Sequence, residues 1–333
     1  MMPVVELRHV NMEFQLDRKR RFTALRDINL EINEGEITAI VGESGCGKST
    51  IGRICLGVLK PTMGAVFYNG RYIWDSGFSW DKPTRCMVQV VHQDSYASLN
   101  PLRTIYQTLS DILRFHKITR GDKDTRSKVK SLLEVVGLTP PEYFLDKYPF
   151  QLSGGQRQRV SITRATILNP KLIIADEPVS AVDASLRLSI LDLMLRLNKE
   201  FGIAFLYITH DLATARYFVR DGRMIVMYFG SVVEEGRIRE LIDNPRHPYL
   251  HALLSAMSTS DPSKAKRKRE LPLKSLDMPT VDNLPSGCLF NPRCPYADEI
   301  CEKEFPQLST IEGEHRISCY LDRVPRWEKH SRN

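Results

Sequence analysis

With 333 residues, 42% of them hydrophobic and 26% charged, the chain has room for one large domain with an appendage, or for two, and enough apolar side chains for a proper core. Its longest apolar stretches, such as 203–208 and 224–229, fall far short of the roughly 20 residues a membrane-crossing helix needs. The N-terminus lacks the basic-then-apolar pattern of a secretory leader, so the protein is expected to stay in the cytosol. A net charge of +7 permits an anionic partner, but much of it is local to Arg18-Lys19-Arg20-Arg21 and to 264–269, which read as solvated loops. No recognition motif points to nucleic acid.

Residues 4–14 and 28–32 alternate or run apolar like strands joined by the basic turn around Arg18, which predicts an antiparallel sheet edge. The apolar run Ile37–Val41 reads as a short buried strand. It leads into Gly42-Glu43-Ser44-Gly45-Cys46-Gly47-Lys48-Ser49-Thr50, which fits G-x-x-x-x-G-K-[ST], and then into a helix start at 51–59. Between a strand end and a helix N-terminus, glycines let backbone N–H groups turn inward around a phosphate, and the helix dipole adds partial positive charge there. Lys48 can reach the β and γ phosphates of a nucleoside triphosphate, and the Ser49 hydroxyl can ligate Mg²⁺.

Further along, 65–68 reads as a strand ending in the tight turn Asn69-Gly70, and 87–91 as a buried strand that delivers Gln93. Helical spacing over 105–115 and 123–136 predicts a mostly helical insert at about 94–168. Leu152-Ser153-Gly154-Gly155-Gln156 precedes a helix at 157–168, a second Gly-rich entry into a helix N-terminus. A buried strand at 172–175 ends at Asp176 and Glu177; a helix at 185–201 is expected to bury Leu186, Ile190, Leu193 and Leu197; and a strand at 204–208 ends near His210. A hairpin around Gly230 and short helices at 237–242 and 249–257 follow. Strands alternating with helices predict a mainly parallel α/β sheet with ligand groups at the strand ends.

An acceptor-only carboxylate at Asp176 suits Mg²⁺, and Glu177 can take a proton from attacking water. Gln93 can hydrogen-bond metal or water, and His210 can donate to a terminal phosphate. The phosphate loop, the 152–156 loop, Asp176-Glu177 and His210, in that order, resemble the ATP-binding cassette family over about residues 4–257. The resemblance implies a P-loop cassette with an antiparallel N-terminal β subdomain and a helical subdomain. It makes Gln93 similar to the family's Q-loop glutamine, Glu177 to its catalytic carboxylate, His210 to its switch histidine and Asp183 to its D-loop aspartate. Phe14 matches the aromatic that stacks on adenine, with Phe22 nearby. The resemblance also implies that Leu152, Ser153, Gly154, Gly155, Gln156 and Asp183 serve the ATP of a second subunit, in a head-to-tail pair.

The phosphate loop, the run from His92-Gln93-Asp94 to Asn100-Pro101 and Asn244-Pro245-Arg246-His247-Pro248-Tyr249 are similar to the ATPase subunits of oligopeptide and dipeptide importers. His92 and Val182 depart from that pattern without touching a phosphate or metal ligand. The subgroup implies an ATPase on the cytoplasmic face of the membrane, with two permease subunits abutting the loop after Gln93 and an extracellular substrate-binding protein. A soluble repair or translation mechanoenzyme is the alternative, as is nickel or sugar cargo.

Residues 258–285 are polar and proline-punctuated like a linker, ahead of a Cys-rich extension at 286–333. There Cys288, Cys294, Cys301 and Cys319 are separated by five, six and seventeen residues. A cytosolic compartment argues against disulfides, and four thiolates suit Zn²⁺ or an iron–sulfur cluster. Gly287-Cys288 with Pro292-Arg293-Cys294-Pro295 resembles the importer tails, which implies a [4Fe–4S] site, with zinc as the alternative.

Overall fold

The computed structural model describes residues 2–17, 20–75, 77, 80–256, 273–280 and 283–320. Arg18 and Lys19, the basic run at 264–269, most of the expected linker and the end of the extension lie outside the described residues. The fold is mixed α/β, and the chain divides into two compact units, each discontinuous in sequence.

The first unit holds Ile32–Glu36 and Asn69–Tyr207. Strand Val88–Val91 runs parallel to Leu172–Asp176, with Val91 opposite Ala175. Residues 172–175 are all buried, as expected of a parallel strand covered on both faces. The helices expected over 105–115 and 123–136 are present as Ile105–Phe115 and Gly121–Val135, followed by the shorter Glu142–Leu145. Ile105–Phe115 starts at Thr104, whose side chain accepts from Gln107 N while Gln107 returns a bond to Thr104 N. It buries Ile105, Leu109 and Leu113, one stripe worth about 2 kcal/mol per fully buried side chain.

Helix Ala184–Phe201 buries Ile190, Leu193 and Leu197 as the periodicity predicts. Leu186 departs from the expectation: it is 37% exposed. It lies in the first turn, ahead of the buried stripe, and covers a glycine. A β-carbon added to Gly155 would sit 3.0 Å from Leu186 Cδ1.

The second unit holds Val5–Glu31, Ile37–Tyr68 and the chain from Ile208 onward. Val5–Gln15 pairs antiparallel with Met63–Tyr68, with an irregularity between Arg8 and Asn11, and Arg21–Ile32 flanks its other edge. This is the antiparallel edge the N-terminal pattern predicts. Ile37–Val41 runs parallel to Arg223–Tyr228, which turns through Gly230 into the antiparallel strand Ser231–Arg237. Two short strands of the extension, His315–Ile317 and Ser309–Glu312, then continue the same sheet antiparallel. Nothing in the hydropathy pattern predicts them. The extension thus shares a sheet with the strand that precedes the phosphate loop.

Candidate functional site

In the second unit, the all but fully buried strand Ile37–Val41 delivers the phosphate loop, and helix Lys48–Cys55 leaves it. Gly47 occupies the helix N-cap at φ 100°, where a β-carbon would come within 2.6 Å of Ala24 O, so only glycine closes this turn. The helix anchors itself by burying Ile51, Ile54 and Cys55. Its N-cap is a glycine with no side chain of its own to cap the first turn, so the helix dipole and the backbone of this turn face an incoming anion without a competing N-cap oxygen. Lys48 is only 5% exposed, and its Nζ donates to Gly42 O and Glu43 O, both at 2.8 Å. Cys46 is buried beneath it, with Sγ 3.7 Å from Lys48 Nζ; burial pushes its thiol up, with Lys48 opposing. Ser44, Gly45 and Ser49 are exposed and Thr50 is half-buried. His210 is exposed just after the buried strand Ala204–Thr209, and the next residue, Asp211, caps helix Leu212–Val219 through Ala213 N and Thr214 N. Phe14 and Phe22 are both half-buried on neighbouring strands, so their burial alone does not choose between them.

In the first unit, Asp176 ends its strand half-buried. Glu177 follows in the left-handed region at φ 46°. That conformation costs a non-glycine residue roughly 1–2 kcal/mol and breaks the extended run right after Asp176. The turn is held: Ser180 N and Ser180 Oγ both donate to Glu177 O, at 3.2 and 3.0 Å. Gln93 Nε2 donates to Glu177 Oε2 at 3.0 Å, so the structure brings these two sequence-predicted residues together across 84 positions.

Leu152 is buried, and Ser153 is the N-cap of helix Gly154–Thr166. Its Oγ accepts from Gln156 N at 3.3 Å, and Gln156 Oε1 accepts from Ser153 N at 3.0 Å. Gly154 is half-buried and Gly155 buried. Asp183 is exposed at the start of Ala184–Phe201.

In the extension, Cys288, Cys294, Cys301 and Cys319 all line one cavity, together with His247 and Phe290. None is in a disulfide. Cys288 N donates to Cys301 O at 2.8 Å, and Gly287, at φ 65°, lies where a β-carbon would come 2.4 Å from that same oxygen. Burial pushes the Cys288 and Cys294 thiols up to about 11 and raises Cys301 and Cys319 as well. Among the described residues, no three His, Cys, Asp or Glu side chains are grouped as a single metal ion requires.

One pairing escapes sequence reasoning. Arg293 Nη1 lies 2.9 Å from Glu43 Oε2, and Nη2 lies 3.2 Å from Oε1, across 250 positions. Arg293 Nη1 also donates to Tyr228 OH at 3.4 Å, and Glu43 N donates to Tyr249 OH at 2.8 Å. The available signal was chemical: a carboxylate inside a phosphate-binding loop calls for a cation. Nearby, the buried Glu234 carboxylate accepts from Arg246 N, His247 N and His315 Nε2, which pins the His-Pro-Tyr segment to the sheet.

The profile describing ABC transporters matches residues 25–180, and that of the oligopeptide/dipeptide transporter C-terminal region matches 233–301. The chain is 40% identical over 299 residues to the oligopeptide transport ATP-binding protein AppF of Bacillus subtilis, covering 90% of this chain and 89% of that protein. It is 40% identical over 298 residues to the oligopeptide transport ATP-binding protein OppF of Escherichia coli, covering 89% and 87%. Among solved structures, a dimeric ATP-binding cassette in a post-hydrolysis state bound to ADP and Pi superposes with a TM-score of 0.61 at 33% identity. It covers 71% of this chain and 99% of that one.

Proposed function

Because the chain belongs to the ATP-binding proteins of the oligopeptide and dipeptide ABC transporters, we propose that it hydrolyses ATP to drive peptide import through a membrane permease. The observation that carries the ATPase reading is the glycine N-cap of Lys48–Cys55 together with the buried Lys48 that opens the helix. Phosphates bind to the N–H groups of Gly45, Gly47 and the first helical turn, and Lys48 neutralises them. Ser49 and Asp176 supply the oxygen donors a hard cation takes, so they fit Mg²⁺, which would offset phosphate charge. Glu177, steadied by Gln93, accepts the proton of the attacking water, and His210 donates to the terminal phosphate. Phe14 stacks on the base.

A second cassette, paired head-to-tail, brings its Ser153, Gly154, Gly155 and Asp183 to this chain's nucleotide, and two permease subunits receive the motion. A substrate-binding protein outside the membrane presents the cargo. Peptide rather than nickel or sugar is supported by the matched C-terminal region and by the relatives' names. Among the described residues no helix is long and apolar enough to cross a membrane; the peripheral place on the cytoplasmic face belongs to the importer reading. The test is Glu177→Gln in vesicles containing the permease. ATP binding is retained while phosphate release and peptide uptake both fall, by about 10²- to 10⁴-fold. Turnover at the parent rate refutes the assignment.

The four cysteines fit a [4Fe–4S] cluster. They line one cavity, and four thiolates are the ligand set such a cluster takes, with Zn²⁺ as the alternative. The cluster would draw the raised thiols into the thiolate form. Stoichiometric iron and labile sulfide in anaerobically purified protein is the expected result; colourless protein rich in zinc overturns it.

A further inference from the structure

Glu43 places a carboxylate in a loop whose ligand is a polyanion. Three observations show how the chain manages that charge. The Arg293 side chain, 6% exposed, meets Glu43, 26% exposed, with both terminal guanidinium nitrogens, a fork that fixes plane as well as distance. Glu43 is also held by its backbone: its N–H donates to Tyr249 OH, and its carbonyl accepts from Lys48 Nζ. Finally, Tyr228, Tyr249 and Phe290 pack as one aromatic cluster, with ring centroids 4.7, 5.2 and 5.5 Å apart, directly behind Arg293. The extension therefore contributes a cation, backed by this aromatic cluster, that sits on the phosphate loop.

We infer that Arg293 is a positioning residue for the nucleotide: acting through Glu43, it neutralises and orients the phosphate loop, so the cysteine-rich extension is a working part of ATP binding. The inference rests on the reading of this loop as the ATP site. Without Arg293, the Glu43 carboxylate returns an uncompensated negative charge beside the triphosphate, and the carbonyls under Lys48 lose their register. Removing both partners removes the repulsion together with its remedy. A residue that merely packs the tail would give no such recovery.

The experiment measures the Kd for ATP on the full chain with Arg293→Met, Arg293→Lys, Glu43→Gln and the double variant Glu43→Gln/Arg293→Met. Thermal melts fix the folded fraction. Arg293→Met is expected to raise Kd about tenfold, with Arg293→Lys in between and the double variant within about threefold of the parent. Should Arg293→Met unfold, Arg293→Lys and the double variant carry the test. Arg293 variants that bind as tightly as the parent, or a double variant as weak as Arg293→Met, overturn the inference and leave the ATP reading intact. A parent chain that binds no ATP overturns both.

Discussion

The helices Lys48–Cys55 and Gly154–Thr166 both begin in glycine-rich sequence, yet their first turns are satisfied in opposite ways. The first has a glycine N-cap, with no side chain to offer, and a buried lysine as its first residue. The second closes on itself, with Ser153 and Gln156 exchanging hydrogen bonds. An open N-terminus is a standing anion site; a self-capped one is at rest until a phosphate competes for its cap. That difference suits the roles proposed for the two loops, one for the chain's own nucleotide and one for a partner's. A third start extends the series: Pro248–Ala256 begins with His247, whose Nδ1 accepts from Tyr249 N at 3.0 Å, a cap that can titrate.

The largest effect is expected from charge at the resting loop. Asp caps a helix about as well as Ser, so Ser153→Asp should fold and bind ATP as the parent does. Its carboxylate repels the partner's phosphate, so turnover in the assembled transporter should fall by at least about 10²-fold. Ser153→Arg should act the same way by bulk. Parallel loss of binding and turnover in either variant would erase the distinction between the two loops.

An intermediate effect is expected at the titrating cap. Burial, helped by His251, depresses His247 to about 3. A depressed histidine contributes stability that is present above its unfolded value near 6.5 and is lost as pH falls toward 3. Between pH 6.5 and 5 this amounts to about 2 kcal/mol. His247→Asn keeps an acceptor without titrating, so its melting temperature should fall less steeply over that interval; superimposable pH profiles would refute the role. His315 opposes it. Burial lowers His315, but Glu234 and Glu240 outweigh burial and raise it, so its contribution is present below about 6.5 and lost as pH rises through its folded value. The smallest effect is Ser153→Ala, which should destabilise the chain by about 1 kcal/mol in denaturant titration, whereas an uncapped loop would show no change.

Much of this was readable beforehand because it is local. The G-x-x-x-x-G-K-[ST] string, the buried runs at 37–41, 172–175 and 204–208, and the helical stripe of Ile190, Leu193 and Leu197 each declare themselves within a few turns of chain. Leu186 was misread because periodicity cannot tell where along a helix the covering layer stops. The strands Ser309–Glu312 and His315–Ile317 were missed because four- and three-residue runs carry no period of their own and exist by pairing with an edge.

Composition and local order alone specified a phosphate loop, a second glycine-framed helix start and four clustered cysteines, since backbone chemistry over a few residues dictates each. Only the folded chain decided that Gln93 grips Glu177, that Ser153 is occupied by its own helix, and that Arg293 of the extension answers Glu43 of the loop. Those pairings join residues by charge and hydrogen-bond geometry in three dimensions, where separation along the chain counts for little.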